Sequence, residues 1–61
     1  MPFIQISHTL PSDPERNRLI AEAVTAAYAQ ASGKAPSSVW VTINQVKPED
    51  WSVGGTLLSE R

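Results

Sequence analysis

Residues 39–46, VWVTINQV, decide the fold. The run is rich in β-branched residues and alternates, which predicts a strand. Val39, Val41 and Ile43 point to one side, Trp40, Thr42 and Asn44 to the other. If a helix covers the valine side, an open two-layer arrangement leaves Trp40 facing water unless another subunit covers it. A tryptophan in that place asks for a partner.

Upstream, residues 2–9, PFIQISHT, alternate as well: Phe3, Gln5 and Ser7 face one way, Ile4, Ile6 and His8 the other. This predicts a first strand with one buried face. Leu10-Pro11 breaks the pattern. Ser12-Asp13-Pro14-Glu15 then carries the marks of a helix start near Asp13: capping residues, a proline in the first turn, and Glu three places after Ser. Leu19, Ile20, Ala23, Val24, Ala27 and Ala31 recur at spacings of three and four and predict the packed stripe, with Arg16, Arg18 and Glu22 on the wet side. Gly33 is a natural stop. Downstream, residues 47–58, KPEDWSVGGTLL, predict a polar turn and a short glycine-containing strand or hairpin.

Strand, long helix, strand is a βαβ unit whose two strands run parallel through a right-handed crossover. The fold class is α+β, a single domain over 1–61 with two parallel strands, one long helix and a C-terminal hairpin. A two-stranded parallel sheet does not stand alone, so a dimer extending it to four strands is expected, with further stacking over the Trp40 face.

Composition sharpens that expectation. With 61 residues, no Cys and one His, there is room for one core, and neither a disulfide nor a zinc site can staple it. Oligomerisation is the remaining staple. The net charge of −1 and the scattered placement of Arg16, Arg18, Lys34, Lys47 and Arg61 argue against a nucleic-acid partner. No apolar run nears the roughly 20 residues that span a bilayer, and Met1 to Ser7 lacks a leader's basic start and apolar core. The expectation is a cytoplasmic protein with no membrane partner.

Few residues carry chemistry. Val53-Gly54-Gly55-Thr56 lacks the Lys-Ser/Thr and following helix of a phosphate loop and is better explained as a tight turn. His8 has no Ser or Cys arrangement around it to form a nucleophilic triad, and Glu15, Glu22, Glu49 and Asp50 form no visible pair. No metal site or cofactor is called for. Trp51, in a polar loop, suits either an oligomer interface or a pocket wall. Pro2 stands apart: removal of Met1 would make it an N-terminal secondary amine, held in a ring at the head of a strand. A free α-amino group titrates near 7.7–8.0, and desolvation lowers that value towards the range where general acid-base catalysis works best.

Taken together, Met1-Pro2-Phe3-Ile4, Ser12-Asp13 before the helix, Pro36 to Val41 into the second strand, and Trp51-Ser52-Val53-Gly54-Gly55 resemble the tautomerase superfamily, in its short 4-oxalocrotonate tautomerase-like subgroup, over nearly the full length. The resemblance implies β-α-β subunits that dimerise and assemble into hexamers. It implies Pro2 as the amine that moves a proton between carbon and oxygen of a small 2-oxo acid or its enol, and Trp51 as an aromatic wall. The chain departs from the family at two positions: Pro11 and Trp40 stand where arginines that grip the substrate carboxylate and polarise its carbonyl are expected. Losing one such charge-assisted contact costs roughly 1.5–3 kcal/mol. The expected substrate is therefore apolar or aryl, with Trp40 and Trp51 lining the site. A non-catalytic or complementing subunit of a hetero-oligomer, or a related hydratase or dehalogenase, remains the alternative.

Overall fold

The computed structural model describes residues 1–61. β1 (Phe3–His8) leads into α1 (Pro14–Ser32), and a 3-10 turn at Pro36–Ser38 delivers the chain to β2 (Trp40–Gln45). A second 3-10 turn (Pro48–Asp50), β3 (Ser52–Val53), β4 (Thr56–Leu57) and a last 3-10 turn (Leu58–Glu60) complete it. β1 and β2 pair in parallel from Phe3 opposite Trp40 to His8 opposite Gln45. The ladder runs one bond past each end, with Trp40 N–H donating to the Pro2 carbonyl at 3.0 Å and Val46 N–H to the His8 carbonyl at 2.8 Å. The expected βαβ unit is present, with each strand a residue shorter at both ends than the alternation alone suggests.

Local chemistry explains where α1 begins and ends. The Asp13 carboxylate accepts the N–H groups of Glu15 and Arg16, at 3.1 and 3.3 Å, which are orphan donors of the first turn. Pro14 follows at a position where a missing N–H costs nothing. Gly33 closes the helix in the left-handed conformation, its N–H bonded to the Ala29 carbonyl. No helix is long and apolar enough to cross a membrane.

The faces of the strands are as expected. Ile4, Ile6 and His8 on β1 and Val41 and Ile43 on β2 are half-buried under the helix, with Val39 just ahead, while Phe3, Gln5, Ser7, Trp40, Thr42 and Asn44 are exposed. The helix differs from its expectation. The covered stripe runs through Arg16, Asn17, Ile20, Ala21, Val24, Thr25 and Ala29, whereas Leu19, Ala23, Ala27 and Ala31 are exposed. Geometry gives the reason. Two strands about 4.8 Å apart are narrower than the apolar arc of α1, and a 19-residue helix of about 28 Å overhangs strands of about 20 Å. The sheet covers one side of the apolar arc and leaves Leu19 61% exposed.

Ala29 alone is buried, and it still keeps 8% of its surface exposed. The Cα radius of gyration is 14.3 Å, against about 10–11 Å for a compact domain of this length. The accessible surface is 4572 Å², whereas a compact monomer of this mass exposes about 3,900 Å². That excess is close to one partner's share of a standard protein interface, about 800 Å². At low micromolar concentration the chain is expected to sediment well above its monomer mass, and a compact, stable monomer in the ultracentrifuge would contradict this. Asp13→Ala, which strips the cap, should cost about 1 kcal/mol per subunit in denaturant unfolding, whereas Ser12→Ala, outside the cap bonds, should not.

Candidate active site

Parallel pairing puts the two strand N-termini at one end of the sheet, so Pro2 and Trp40 are brought together through the backbone bond between them. Pro2 continues the alternation of β1 on the helix side and is half-buried, with Met1 ahead of it 84% exposed. Phe3 and Trp40, register partners, stand on the other face at 55% and 57% exposure. Pro2 and the Trp40 indole thus share a sheet end but lie on opposite faces of it. This uncovered aromatic pair was legible only in part: the alternation marks Trp40, but pairing it with Phe3 requires the register.

Trp51 lies elsewhere. It follows β2 by six residues, on the chain that leaves the sheet at the end opposite Pro2. It is half-buried where the C-terminal segment folds on itself: its carbonyl accepts the Leu58 N–H at 2.9 Å, closing the β3-β4 ribbon. Ser52 pairs with Leu57 and Val53 with Thr56. The turn between them has φ of +61° at Gly54 and +86° at Gly55, the type I′ geometry that suits the twist of a two-residue hairpin and that side chains resist. One protomer therefore assembles Pro2 and the Trp40 backbone but not Trp51.

The remaining candidates fall into place. His8 ends β1, half-buried, with its backbone in the ladder. Glu15 meets the exposed Arg18 at 3.6 Å, and no group of three or more His, Cys, Asp or Glu side chains is placed to hold a metal ion. Pro11 lies in the loop between β1 and α1, and its carbonyl receives a long hydrogen bond of 3.4 Å from the Arg16 guanidinium. Arg16 as a whole is half-buried, whereas the helical pattern places it on the wet side, and its bond to Pro11 lies at the surface. One concavity of about 360 Å³ opens between α1 and the first 3-10 turn, lined by Ala21, Glu22, Thr25, Ala26 and Pro36. It contains neither Pro2 nor a tryptophan.

Comparison with known proteins places this geometry in context. The family model described as "Tautomerase enzyme" matches residues 2–61. The Ralstonia nicotianae protein named "Probable tautomerase RSp1151" is 27% identical over 60 residues, covering 98% of this chain and 92% of that protein. Among solved structures, one from work on the 4-oxalocrotonate tautomerase isozymes of Methylibium petroleiphilum superposes with a TM-score of 0.88 at 34% identity, covering 97% of this chain and 95% of that one. A structure of a heterohexamer 4-oxalocrotonate tautomerase from Chloroflexus aurantiacus J-10-fl gives 0.89 at 30% identity, with coverage of 98% and 97%.

The hairpin offers a direct check of the local account. In a Trp40→Phe background Trp51 is the one remaining indole, since the chain has two tryptophans. Adding Gly54→Ala with Gly55→Ala should cost about 1–2 kcal/mol per residue in left-handed backbone strain, and should shift Trp51 emission to the red as the hairpin opens. No heavy atom stands within 4 Å of either new Cβ, so the loss is conformational rather than steric.

Proposed function

The chain belongs to the tautomerase family, and we propose that it is an isomerase that interconverts the keto and enol forms of small 2-oxo acids with the amine of Pro2. One observation carries the reading: the family match begins at residue 2, the proline that heads β1 and whose carbonyl is locked to Trp40. With Met1 removed, the neutral secondary amine accepts the proton from the carbon next to the carbonyl. The C–H electron pair becomes the C=C bond and the carbonyl oxygen takes the charge of an enolate. The ammonium then returns the proton to that oxygen, giving the enol, and the reverse order gives the ketone. The pyrrolidine ring holds the nitrogen in few orientations, and apolar surroundings favour its neutral form.

The apolar surroundings come from assembly. In this reading the free sheet edges pair to give a four-stranded dimer, and three dimers stack through the Phe3 and Trp40 face into a hexamer. The C-terminal hairpin, which stands clear of its own βαβ unit, carries Trp51 to the site of another copy. Trp40 and Trp51 then form the walls, and the substrate is an apolar or aryl 2-oxo acid, because Pro11 and Trp40 offer no charge for a second carboxylate. The site needs no metal or cofactor, and the setting is the cytoplasm.

A second reading rests on those same two positions. The Chloroflexus relative is described as a heterohexamer, and a chain with Pro11 and Trp40 suits a complementing subunit that works beside a different chain. Activity of the purified chain alone separates the two, and the product identifies a hydratase or dehalogenase relative.

Pro2→Ala, which puts a freely rotating primary amine where the ring holds a secondary one, should slow enol-ketone interconversion of an arylpyruvate by about 100-fold, the scale of a misplaced reacting group. Intact mass should show Met1 absent from the active form, and equal rates for the parent and for a chain that keeps Met1, whose residue 2 nitrogen is an amide, would remove the Pro2 amine from the reaction. The double change Pro11→Arg with Trp40→Arg should raise turnover of a hydroxymuconate-like dicarboxylate and lower that of the arylpyruvate, since a guanidinium fork holds a carboxylate where an indole offers a face and one N–H. A parent enzyme that already prefers the dicarboxylate contradicts the aromatic site.

A further inference from the structure

In the proposed reaction the carbonyl oxygen gathers the charge of an enolate, and Pro11 and Trp40 bring no cation to it. A neutral donor held in place can meet that charge. The chain has one tyrosine, Tyr28, in the last third of α1. It is 37% exposed, and no hydrogen bond of the protomer engages its hydroxyl.

The fold brings Tyr28 to the sheet end that holds Pro2. As the crossover between parallel strands, α1 starts beyond His8 and returns the chain to the start of β2. From Pro14 to Tyr28 it descends about 21 Å, and from His8 back to Pro2 β1 covers about 20 Å. Tyr28 therefore arrives level with the strand starts, one residue before the buried Ala29.

Rotation about the helix axis places it on the β1 side. The flank bearing Glu22, Thr25 and Ala26 meets Pro36, in the turn that feeds β2. At about 100° per residue, Tyr28 points about 120° away from Glu22 and about 160° away from Ala26. It extends instead the line of Ile20 and Val24, which belong to the covered stripe. A right-handed crossover gives the same answer: seen from the helix side with the strands running upward, β1 lies on the left, and that is the flank to which Tyr28 turns. α1 also sits closer to β2 than to β1, which leaves the helix side of the half-buried Pro2 as a ledge beneath the phenol.

We propose that the Tyr28 hydroxyl donates a hydrogen bond to the carbonyl oxygen of the substrate, holding the enolate charge while Pro2 carries the proton, so that Tyr28 is a second catalytic residue of the same subunit. The inference rests on the Pro2 reading above and is independent of which sheet edge pairs in a dimer. A phenol stabilises developing charge as a donor while bringing none of its own. It therefore serves any 2-oxo acid and gives a second carboxylate no counter-ion.

Tyr28→Phe, which removes one oxygen and keeps the ring, should lower kcat for an arylpyruvate about 100-fold with KM nearly unchanged. Cinnamate, which has the aryl ring and the carboxylate but no oxygen at the 2-position, should inhibit parent and variant equally. Because Tyr28 is the one tyrosine, expression with fluorotyrosine labels that site alone, and its fluorine resonance should move further with an arylpyruvate than with cinnamate. Equal kcat in Tyr28→Phe and parent, cinnamate inhibition weakened as much as kcat, or equal movement of the fluorine signal with both acids overturns the role of Tyr28. In each of those cases a chain that keeps Met1 and is inactive in the same assay leaves Pro2 standing. A parent chain inert towards the arylpyruvate overturns the Pro2 reading and this role with it.

Discussion

The parallel ladder between β1 and β2 is the constraint on which everything else depends. Parallel strands can be joined only by a crossover, so pairing Phe3 with Trp40 obliges the intervening chain to form α1 and cross one face of the sheet. That face gains Ile4, Ile6, Val41 and Ile43 against Ile20 and Val24, and the other face gains nothing. The same ladder sets the two strand starts side by side, so the residue before β1 and the first residue of β2 become neighbours although nearly 40 positions apart. It also sends the chain out at the far end, where the hairpin folds on itself through Trp51 and Leu58 rather than returning to the sheet.

Most of this architecture could be read from side chains whose role is local. Alternation along VWVTINQV reported the two sheet faces correctly, since a strand's period of two leaves no choice once one face is covered. Asp13, Pro14 and Gly33 marked the helix ends, because orphan backbone groups at a terminus are met by neighbours in sequence. The stripe on α1 was harder. Ile20 and Val24 were placed correctly, but Leu19 and the alanines at 23, 27 and 31 share the same broad apolar arc, and only the width of the sheet decides which flank it covers. Thr25 and Asn17 were won for the covered side by position, against their polarity.

The candidate site was less legible for a similar reason. Pro2 announces itself by chemistry, as the one residue that becomes an amine when its predecessor leaves, and Trp51 by its presence in a polar loop. Their mutual placement depends on surfaces that no local pattern describes. Arg16 shows this most clearly: at the level of helical periodicity it is an ordinary solvent-facing cation, and its distinction appears only in its bond to the Pro11 carbonyl and the lack of an acidic partner.

The slab-like form of the subunit, 42 by 25 by 15 Å with a single buried side chain, bears on its life in a cell. A chain with so little interior opens readily when alone, and open chains are what proteases degrade. Association removes that opening by mass action. For a subunit that associates as proposed, abundance would then be self-reinforcing: sparse copies would be cleared before they meet, and a rise in synthesis past the association threshold would lengthen the lifetime of every copy at once. Promoter strength, usually a dial on the amount of protein, becomes for a subunit of this shape closer to a switch on its survival.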